Sequence, residues 1–214
     1  EIMPSLVGSE MCIRDRVTLD GNEKSHNNRR PYKDGTGSYC DIVKNLSAIK
    51  DYTHIVLNVV LDYSIEGLPE LINDLRQNGI EPEVSLCVKE PNDYSPEEKA
   101  TLVLKNAELL AAMGVYQSTK IGFDHGIICM GKNTHTFGID GKGTVYRCNG
   151  DFGSVIGTLS SEIIKPVVPV KPMCIQCRYL PICFGGCLYK YRCEYDYFDR
   201  VIPGLIKVYT KRAK

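Results

Sequence analysis

The chain has 214 residues, with 26 Lys and Arg against 26 Asp and Glu. This balance leaves no net charge to attract a nucleic acid or an anionic membrane, so neither is expected as a partner. No apolar run approaches the length of a membrane span, and the length suffices for one sizeable domain and a smaller second one. Ten cysteines in a chain of this class indicate a reducing, cytoplasmic environment.

Residues 1–16 are predicted to lie outside the fold, because no amphipathic pattern runs through them. The segment 11–16 resembles the translation of a transposon-derived sequencing adapter, and such a scar is excluded from fold reasoning. Cys12 is therefore not expected to be a ligand. An ordinary N-terminal extension is the alternative.

The chain from residue 17 onwards alternates between strand and helix signals. Residues 17–21 read as the end of a buried strand and a turn, after which a polar loop with His26, Arg29 and Arg30 is expected. Apolar residues at helical spacing in Tyr39–Ile49 then predict a helix.

The same alternation continues to about residue 113. The further elements are an apolar strand at His54–Leu61, a helix over 68–75 that stops at Gly79, a strand at Glu83–Val88, and a long helix opened by the capping box of Ser95 and Glu98. Alternation at this spacing predicts βαβ units with right-handed crossovers. The near-continuous apolar run His54–Leu61 predicts a strand that is covered on both faces.

The C-terminal part of the chain gives two further predictions. Residues 134–140 and 143–146 predict a β-hairpin that delivers Cys148, and the Tyr-rich segment after Cys193 predicts a packing helix.

Asn58 interrupts the apolar strand His54–Leu61. A buried amide without partners costs about 1–3 kcal/mol, so this side chain must be satisfied. A cofactor or a neighbouring loop could supply the partner, and the sequence leaves both alternatives open.

Seven of the ten cysteines fall in the last 86 residues of the chain, as one dense group. They are Cys129, Cys148, Cys174, Cys177, Cys183, Cys187 and Cys193. Disulfides fit poorly because seven is odd, and structural zinc favours paired C-x2-C knuckles where this chain has one. Dense thiolate spacing favours iron–sulfur clusters. Two four-coordinate centres need eight ligands, so one position is filled by another residue or is open.

This spacing, with four residues between Gly143 and Cys148, resembles the SPASM domain, the auxiliary-cluster extension of radical SAM enzymes that modify peptides and proteins. The run from Cys177 to Cys187 is close to that family's usual wording. The resemblance implies two auxiliary [4Fe–4S] clusters. It assigns Cys174, Cys177, Cys183 and Cys193 to the second cluster, and Cys129, Cys148 and Cys187 to the first. The fourth ligand of the first cluster is left open between Asp124, His125, Cys87 and a free site for substrate.

The segment 17–21, its polar loop and the residues 35–39 resemble the fourth strand and loop of the radical SAM barrel. The resemblance places Thr18 and Asp20 beside S-adenosylmethionine (AdoMet), with Asn58 reaching it from the fifth strand. The expected fold is α/β: the second half of a (β/α)6 partial TIM-like barrel over 17–123, then a small cysteine-rich SPASM domain with a β-hairpin over 124–214. No C-x3-C-x2-C motif is present, so a C-terminal fragment is expected. AdoMet and a third [4Fe–4S] cluster would then belong to the full-length enzyme only.

The resemblance implies an enzyme that cleaves AdoMet reductively, after which the deoxyadenosyl radical abstracts hydrogen from a peptide or protein side chain. The expected partners are that substrate and a reductant such as flavodoxin or ferredoxin. In sulfatase maturases an aspartate directly follows the second cysteine and acts as base. Asn149 stands here instead, which favours peptide modification and leaves Asp151 as the candidate catalytic base. The alternative is a non-enzymatic metal-binding or electron-transfer module with structural zinc or clusters.

Overall fold

The structure is a computed structural model that describes residues 14–88, 94–115, 131–148, 150–161, 163–165, 167–187 and 193–212, for Arg14 and Arg212 the backbone alone. These residues form two compact units. The first lies within Glu1–Thr119 and Arg200–Lys214, and the second lies within Lys120–Asp199. Both units contain a sheet and helices, so the predicted α/β class is confirmed. No helix in the described ranges is both long and apolar enough to cross a membrane.

The first unit is built on a three-stranded parallel sheet. Its strands are β1 (Arg14–Thr18), β2 (His54–Leu61) and β3 (Glu83–Val88), in the order β1-β2-β3. The bounds of β2 and β3 are those predicted from their apolar, β-branched runs. The register pairs Thr18 with Asn58, and Asn58 with Ser85.

Four helices belong to the same unit as this sheet, and local sequence features explain where several of them begin, end or pack. They are α1 (Glu23–Arg29), α2 (Tyr39–Ile49), α3 (Leu68–Gln77) and α4 (Pro96–Ala112). Helix α3 buries the apolar stripe that its periodicity predicts. Helix α2 buries Tyr39, Val43 and Leu46 of its predicted stripe, whereas Ile49 at its end is exposed. Ser95 and Glu98 form the predicted capping box at the start of α4, and Gly79 ends α3 at φ 72°.

The sheet is covered on one face and half open on the other. Leu57, Val59 and Val84 on the covered face are fully buried, whereas Asn58 and Val60 point the other way and are half-buried. Val56 and Ser85 lie on this second face too and are fully buried, so the predicted cover on both faces of β2 is present only in part. Right-handed crossovers between neighbouring strands taken in sequence order place the connecting helices on the same face, which leaves the second face without them.

At the start of the chain, the observed elements differ from the predicted ones in two places. The expected polar loop after residue 21 is helix α1, whose Asn22 side chain accepts a hydrogen bond from the Ser25 backbone N–H. Residues 14–16 were expected outside the fold, but they belong to β1 and pair with residues 54–56 of β2. Strand pairing uses backbone groups, so it does not require an apolar pattern in the added strand. Residues 1–13 lie outside the described residues, and their origin stays a prediction.

The second unit is built on a three-stranded antiparallel sheet of β4 (Gly138–Ile139), β5 (Thr144–Cys148) and β6 (Asp151–Thr158). A 3₁₀ turn at Pro172–Cys174 and the short helix α5 (Leu180–Cys183) follow. The last helix, α6 (Tyr195–Arg212), begins in the second unit and continues into the first, where Val201, Leu205 and Val208 are buried at helical spacing.

Candidate metal centre and cofactor face

The C-x2-C pair lies on a tight turn. The Cys177 backbone N–H donates to the Cys174 carbonyl at 3.0 Å, and the Leu180 N–H donates in turn to the Cys177 carbonyl at 2.9 Å. Pro172 opens the preceding 3₁₀ turn. These turns bring the Cys174 and Cys177 thiols to the same side of the chain.

The Cys183 thiol follows from the end of α5 and a left-handed turn. Phe184, Gly185 and Gly186 have φ of 52°, 79° and 79°, the conformation that glycine adopts without strain. Burial raises the pKa of the Cys183 thiol, while the backbone N–H groups of Gly186 and Gly185 act in the opposite direction because they hydrogen-bond its sulfur. The turn therefore aims two backbone donors at the thiol.

Four of the predicted ligand cysteines line one cavity of about 130 Å³. They are Cys174, Cys177, Cys183 and Cys193, the set that the resemblance assigns to the second auxiliary cluster. Among the described residues around this cavity, Cys187 is not part of the lining, and its side chain is exposed.

Aromatic side chains form the wall of this cavity beside α6. Tyr179, 8% exposed, packs against Tyr195 and Phe198, with ring centroids 5.2 Å and 5.7 Å away. The Arg178 guanidinium lies over the Tyr179 ring at 4.9 Å and pairs with Asp199. The four thiols therefore have an apolar wall on one side, which lowers the local dielectric constant.

The donor set of this cavity can be compared with two kinds of metal group. Among the residues that the structure describes, no three Cys, His, Asp or Glu side chains converge closely enough to hold a single metal ion. Structural zinc requires four ligands at about 2.0–2.3 Å from one centre. A [4Fe–4S] cluster takes one thiolate at each iron, so four cysteines around one cavity are the donor set of one such cluster.

The predicted ligands of the first cluster are described only in part. Cys148 ends β5 and is half-buried. Cys129, Asp124 and His125 lie outside the described residues. Cys87 lies on β3 in the first unit, where its thiol donates to the Asn58 side-chain oxygen at 3.3 Å.

The β4–β5–β6 sheet explains the glycine of the motif. Gly143 has φ 79° in the turn after β4, and its N–H donates to the Asp140 carbonyl at 3.0 Å. Asp151 opens β6 opposite Cys148 and is 5% exposed. Its carboxylate accepts hydrogen bonds from the Gly153 N–H and the Ser154 hydroxyl, so both oxygens have partners within their own strand. Its predicted role as a base stays a prediction.

The open face of the parallel sheet carries a row of polar side chains. Thr18, Asn58 and Ser85 are register partners on adjacent strands, so all three point to the same face. The Ser85 hydroxyl is fully buried and has no hydrogen-bond partner among the described residues. A buried hydroxyl of this kind can be satisfied by an ordered water or by a bound group.

Asp20 is engaged by protein groups at the end of this row. Its fully buried carboxylate accepts hydrogen bonds from Arg30 Nε at 2.8 Å and from the Val60 backbone N–H at 3.0 Å, and it lies 3.4 Å from Arg29 Nε. Arg29 also donates to Asp62 at 3.0 Å. These contacts make Asp20 a residue that holds the ends of β1 and β2 together, and direct contact with a cofactor stays a prediction.

Two features of these sites were not predicted from the sequence. Ser85 lies within an apolar run and gives no local sign that its hydroxyl lacks a partner. Strand β6 does have a local signal, because Asn149–Gly150, between Cys148 and Asp151, is the dipeptide typical of a two-residue hairpin turn.

No protein-family model matches the chain, and no curated protein matches it significantly. Solved structures do. Native anSMEcpe, an anaerobic sulfatase-maturing enzyme, with bound AdoMet and a Kp18Cys peptide has a TM-score of 0.63 and 17% identity over 95% of this chain and 71% of its own. Polyhistidine-tagged anSMEcpe with bound AdoMet has a TM-score of 0.62 and 16% identity over 95% of this chain and 70% of its own. The chain thus has the α/β fold of a radical SAM enzyme structure.

Proposed function

We propose that this chain supplies the auxiliary-cluster region and part of the AdoMet-binding barrel of a radical SAM enzyme that modifies a peptide or protein side chain. The observation that carries the proposal is the cavity lined by Cys174, Cys177, Cys183 and Cys193. Four thiols line it, one wall is apolar, and backbone N–H groups of the adjacent turn hydrogen-bond a sulfur. Such hydrogen bonds and low solvent exposure are the features that adjust a cluster's potential.

In this proposal the first auxiliary cluster takes Cys129, Cys148 and Cys187. Its fourth position is filled by Asp124 or His125 or is open to substrate. When bound, the auxiliary clusters supply an electron acceptor or a binding point for the substrate. The chain's own contribution is to hold the thiolates in place and to exclude water on the aromatic side.

The half-open face of the parallel sheet is the proposed AdoMet side. Thr18 and Asn58 present polar groups there, and Ser85 presents a buried hydroxyl that a ligand can satisfy. Asp20 acts indirectly, because its carboxylate binds Arg29, Arg30 and the Val60 N–H. The fold likeness to enzyme structures that hold AdoMet agrees with this assignment.

The proposed substrate is a peptide, in line with the similar anSMEcpe structure, which contains a bound peptide. Asp151 is the proposed base, and release of the Ser154 hydroxyl would free one of its carboxylate oxygens. A flavodoxin or ferredoxin is the proposed reductant.

Metal analysis of the whole chain tests the proposal. The chain, expressed without oxygen and reconstituted with iron and sulfide, should hold about eight irons, the content of two [4Fe–4S] clusters. Cys177→Ala should lose about half of this iron, whereas Cys40→Ala, which removes an exposed thiol from α2, should lose none. Zinc in place of iron would overturn the proposal and favour a structural metal module. Iron for one cluster only would remove the first cluster from it.

A further inference from the structure

A lysine contacts the turn that carries the Cys183 thiol. The Lys132 ammonium donates a hydrogen bond to the Phe184 carbonyl. A Cβ placed on Gly185 would lie 3.2 Å from Lys132 Nζ, so the ammonium lies directly against the backbone of the turn. Lys132 is half-buried, and all of these groups belong to the second unit.

The ammonium places a positive charge close to the Cys183 thiol. Its acceptor, the Phe184 carbonyl, belongs to the residue that directly follows Cys183. The left-handed backbone at Phe184 is unusual for a residue with a side chain, and its carbonyl is the one that Lys132 binds. One side chain therefore both holds the turn and adds positive charge beside the sulfur.

Lys132 also connects two parts of the ligand set. It follows Cys129 by three residues, and it reaches the turn between Cys183 and Cys187. In the assignment above, Cys129 and Cys187 serve the first cluster and Cys183 serves the second. The contact therefore ties a segment next to a ligand of one cluster to a turn that carries a ligand of the other.

We propose that Lys132 is a positioning residue of the auxiliary clusters: it fixes the Phe184–Gly186 turn and makes the cluster bound by Cys183 easier to reduce. The inference rests on the proposed function. Reduction adds one electron and therefore one negative charge to the cluster, and dithionite is the electron donor in the test. A positive charge close to the cluster stabilises the reduced form more than the oxidised form, because net local charge is one determinant of cluster potential.

The first test is a reductive titration of the reconstituted whole chain with dithionite and mediators, followed by EPR. In Lys132→Met, the ratio of reduced to oxidised cluster at the wild-type midpoint should fall about threefold or more for one cluster only. Lys132→Arg keeps the charge and should keep the ratio. Lys142→Met removes an exposed lysine from the turn between β4 and β5 and should have no effect. Equal midpoints in Lys132→Met and wild type, at equal iron content, would overturn the effect on reduction.

The second test needs no cluster. Chymotrypsin should cleave the cluster-free chain after Phe184 several-fold faster in Lys132→Met than in wild type, Lys132→Arg or Lys142→Met, because the turn has lost its side-chain contact. Unchanged cleavage would show that Lys132 does not fix the turn. If Lys132→Met binds no iron while Lys132→Arg does, the positioning role is supported. If no variant binds iron, the proposed function fails together with the effect on reduction, and the cleavage rate still decides the role in the turn.

Discussion

The Asp20 carboxylate accepts a hydrogen bond from the Val60 backbone N–H at 3.0 Å. Backbone pairing between β1 and β2 ends at Thr18 and Asn58, two residues earlier on each strand. The side chain of Asp20 therefore continues the ladder where the backbone of β1 turns away. Its other oxygen holds the Arg30 guanidinium at the start of the chain segment that leads to α2.

This relationship predicts a large loss of stability on truncation of Asp20. Asp20→Ala should lower the free energy of unfolding by about 2–4 kcal/mol, because it leaves the Val60 N–H without its acceptor. It also removes the carboxylate that binds Arg30 and lies beside the mostly buried Arg29. Asp20→Asn keeps an acceptor for Val60 and should cost less. Urea denaturation measures both. Asp34→Ala, at an exposed site, should cost under about 1 kcal/mol. A cost for Asp20→Ala as small as that of Asp34→Ala would refute the bridging role.

His26 predicts a pH dependence of stability. Its Nδ1 accepts from the Asp20 backbone N–H at 3.2 Å, so the proton is on Nε2, which donates to the Ser38 hydroxyl at 3.1 Å. Burial lowers the pKa of His26 below 6.5; Arg30 and Arg29 act in the same direction, whereas Asp20 opposes them. The unfolded chain therefore binds this proton more readily than the folded chain.

Because the unfolded chain binds this proton more readily, protonation of His26 at low pH favours unfolding. The contribution of His26 is fully present above pH 6.5 and is lost as the pH falls through the lowered folded value, with a slope of at most about 1.4 kcal/mol per pH unit. Urea unfolding between pH 5 and pH 8 measures the slope. His26→Gln should flatten it, and His135→Gln, at an exposed position, should leave it as in wild type. An unchanged slope in His26→Gln would show that other groups cause it.

The grouping of the thiols predicts crossed effects of two neighbouring cysteines. Cys193 lines the cavity with Cys174, Cys177 and Cys183, and Cys187 does not belong to this lining. Cys193→Ala should therefore damage the second cluster and spare the first, whereas Cys187→Ala should do the reverse. Mössbauer and EPR spectra of the reconstituted variants distinguish the two clusters. Loss of the same cluster in both variants would rule out the crossed assignment.

The Ser85 hydroxyl predicts that its removal stabilises the ligand-free chain. Its buried hydroxyl has no partner among the described residues, so Ser85→Ala should raise the free energy of unfolding of the ligand-free chain by about 1 kcal/mol. For a chain of this length that corresponds to a rise in Tm of about 2–4 °C. Ser38→Ala is the matched control, because Ser38 is also buried but donates to the Arg30 carbonyl at 2.7 Å, and it should lower Tm. A lower Tm for Ser85→Ala would mean that the hydroxyl is satisfied.

Much of the parallel unit could be predicted because local signals agree with the fold. The bounds of β2 and β3, the capping box of α4 and the stop at Gly79 are all readable from neighbouring residues. Helix α1 could not be predicted in this way, because its seven residues carry no apolar stripe. Its stability comes from tertiary contacts of Ser25 and His26, which are buried against distant parts of the unit.

The candidate sites also contain features that could be predicted and features that could not. The grouping of Cys174, Cys177, Cys183 and Cys193 was available only from the family resemblance, and the four line one cavity. The ion contacts of Asp20 were not, since they depend on residues 9 to 40 positions away. The Lys132 contact with the Phe184 carbonyl spans 52 positions and has no local signature either.

The two outer strands of the parallel sheet differ in the charged side chains that they carry. Edge strands expose unpaired backbone groups, and charged residues protect them from pairing with other chains. β1 carries Arg14, Asp15 and Arg16, whereas β3 is charged only at Glu83 and is otherwise rich in Val, Leu and Cys. No other strand in the described ranges pairs with β3 on its outer side. Concentrated solutions of the isolated chain should therefore associate through β3 before β1, and added charge on β3 should suppress that association.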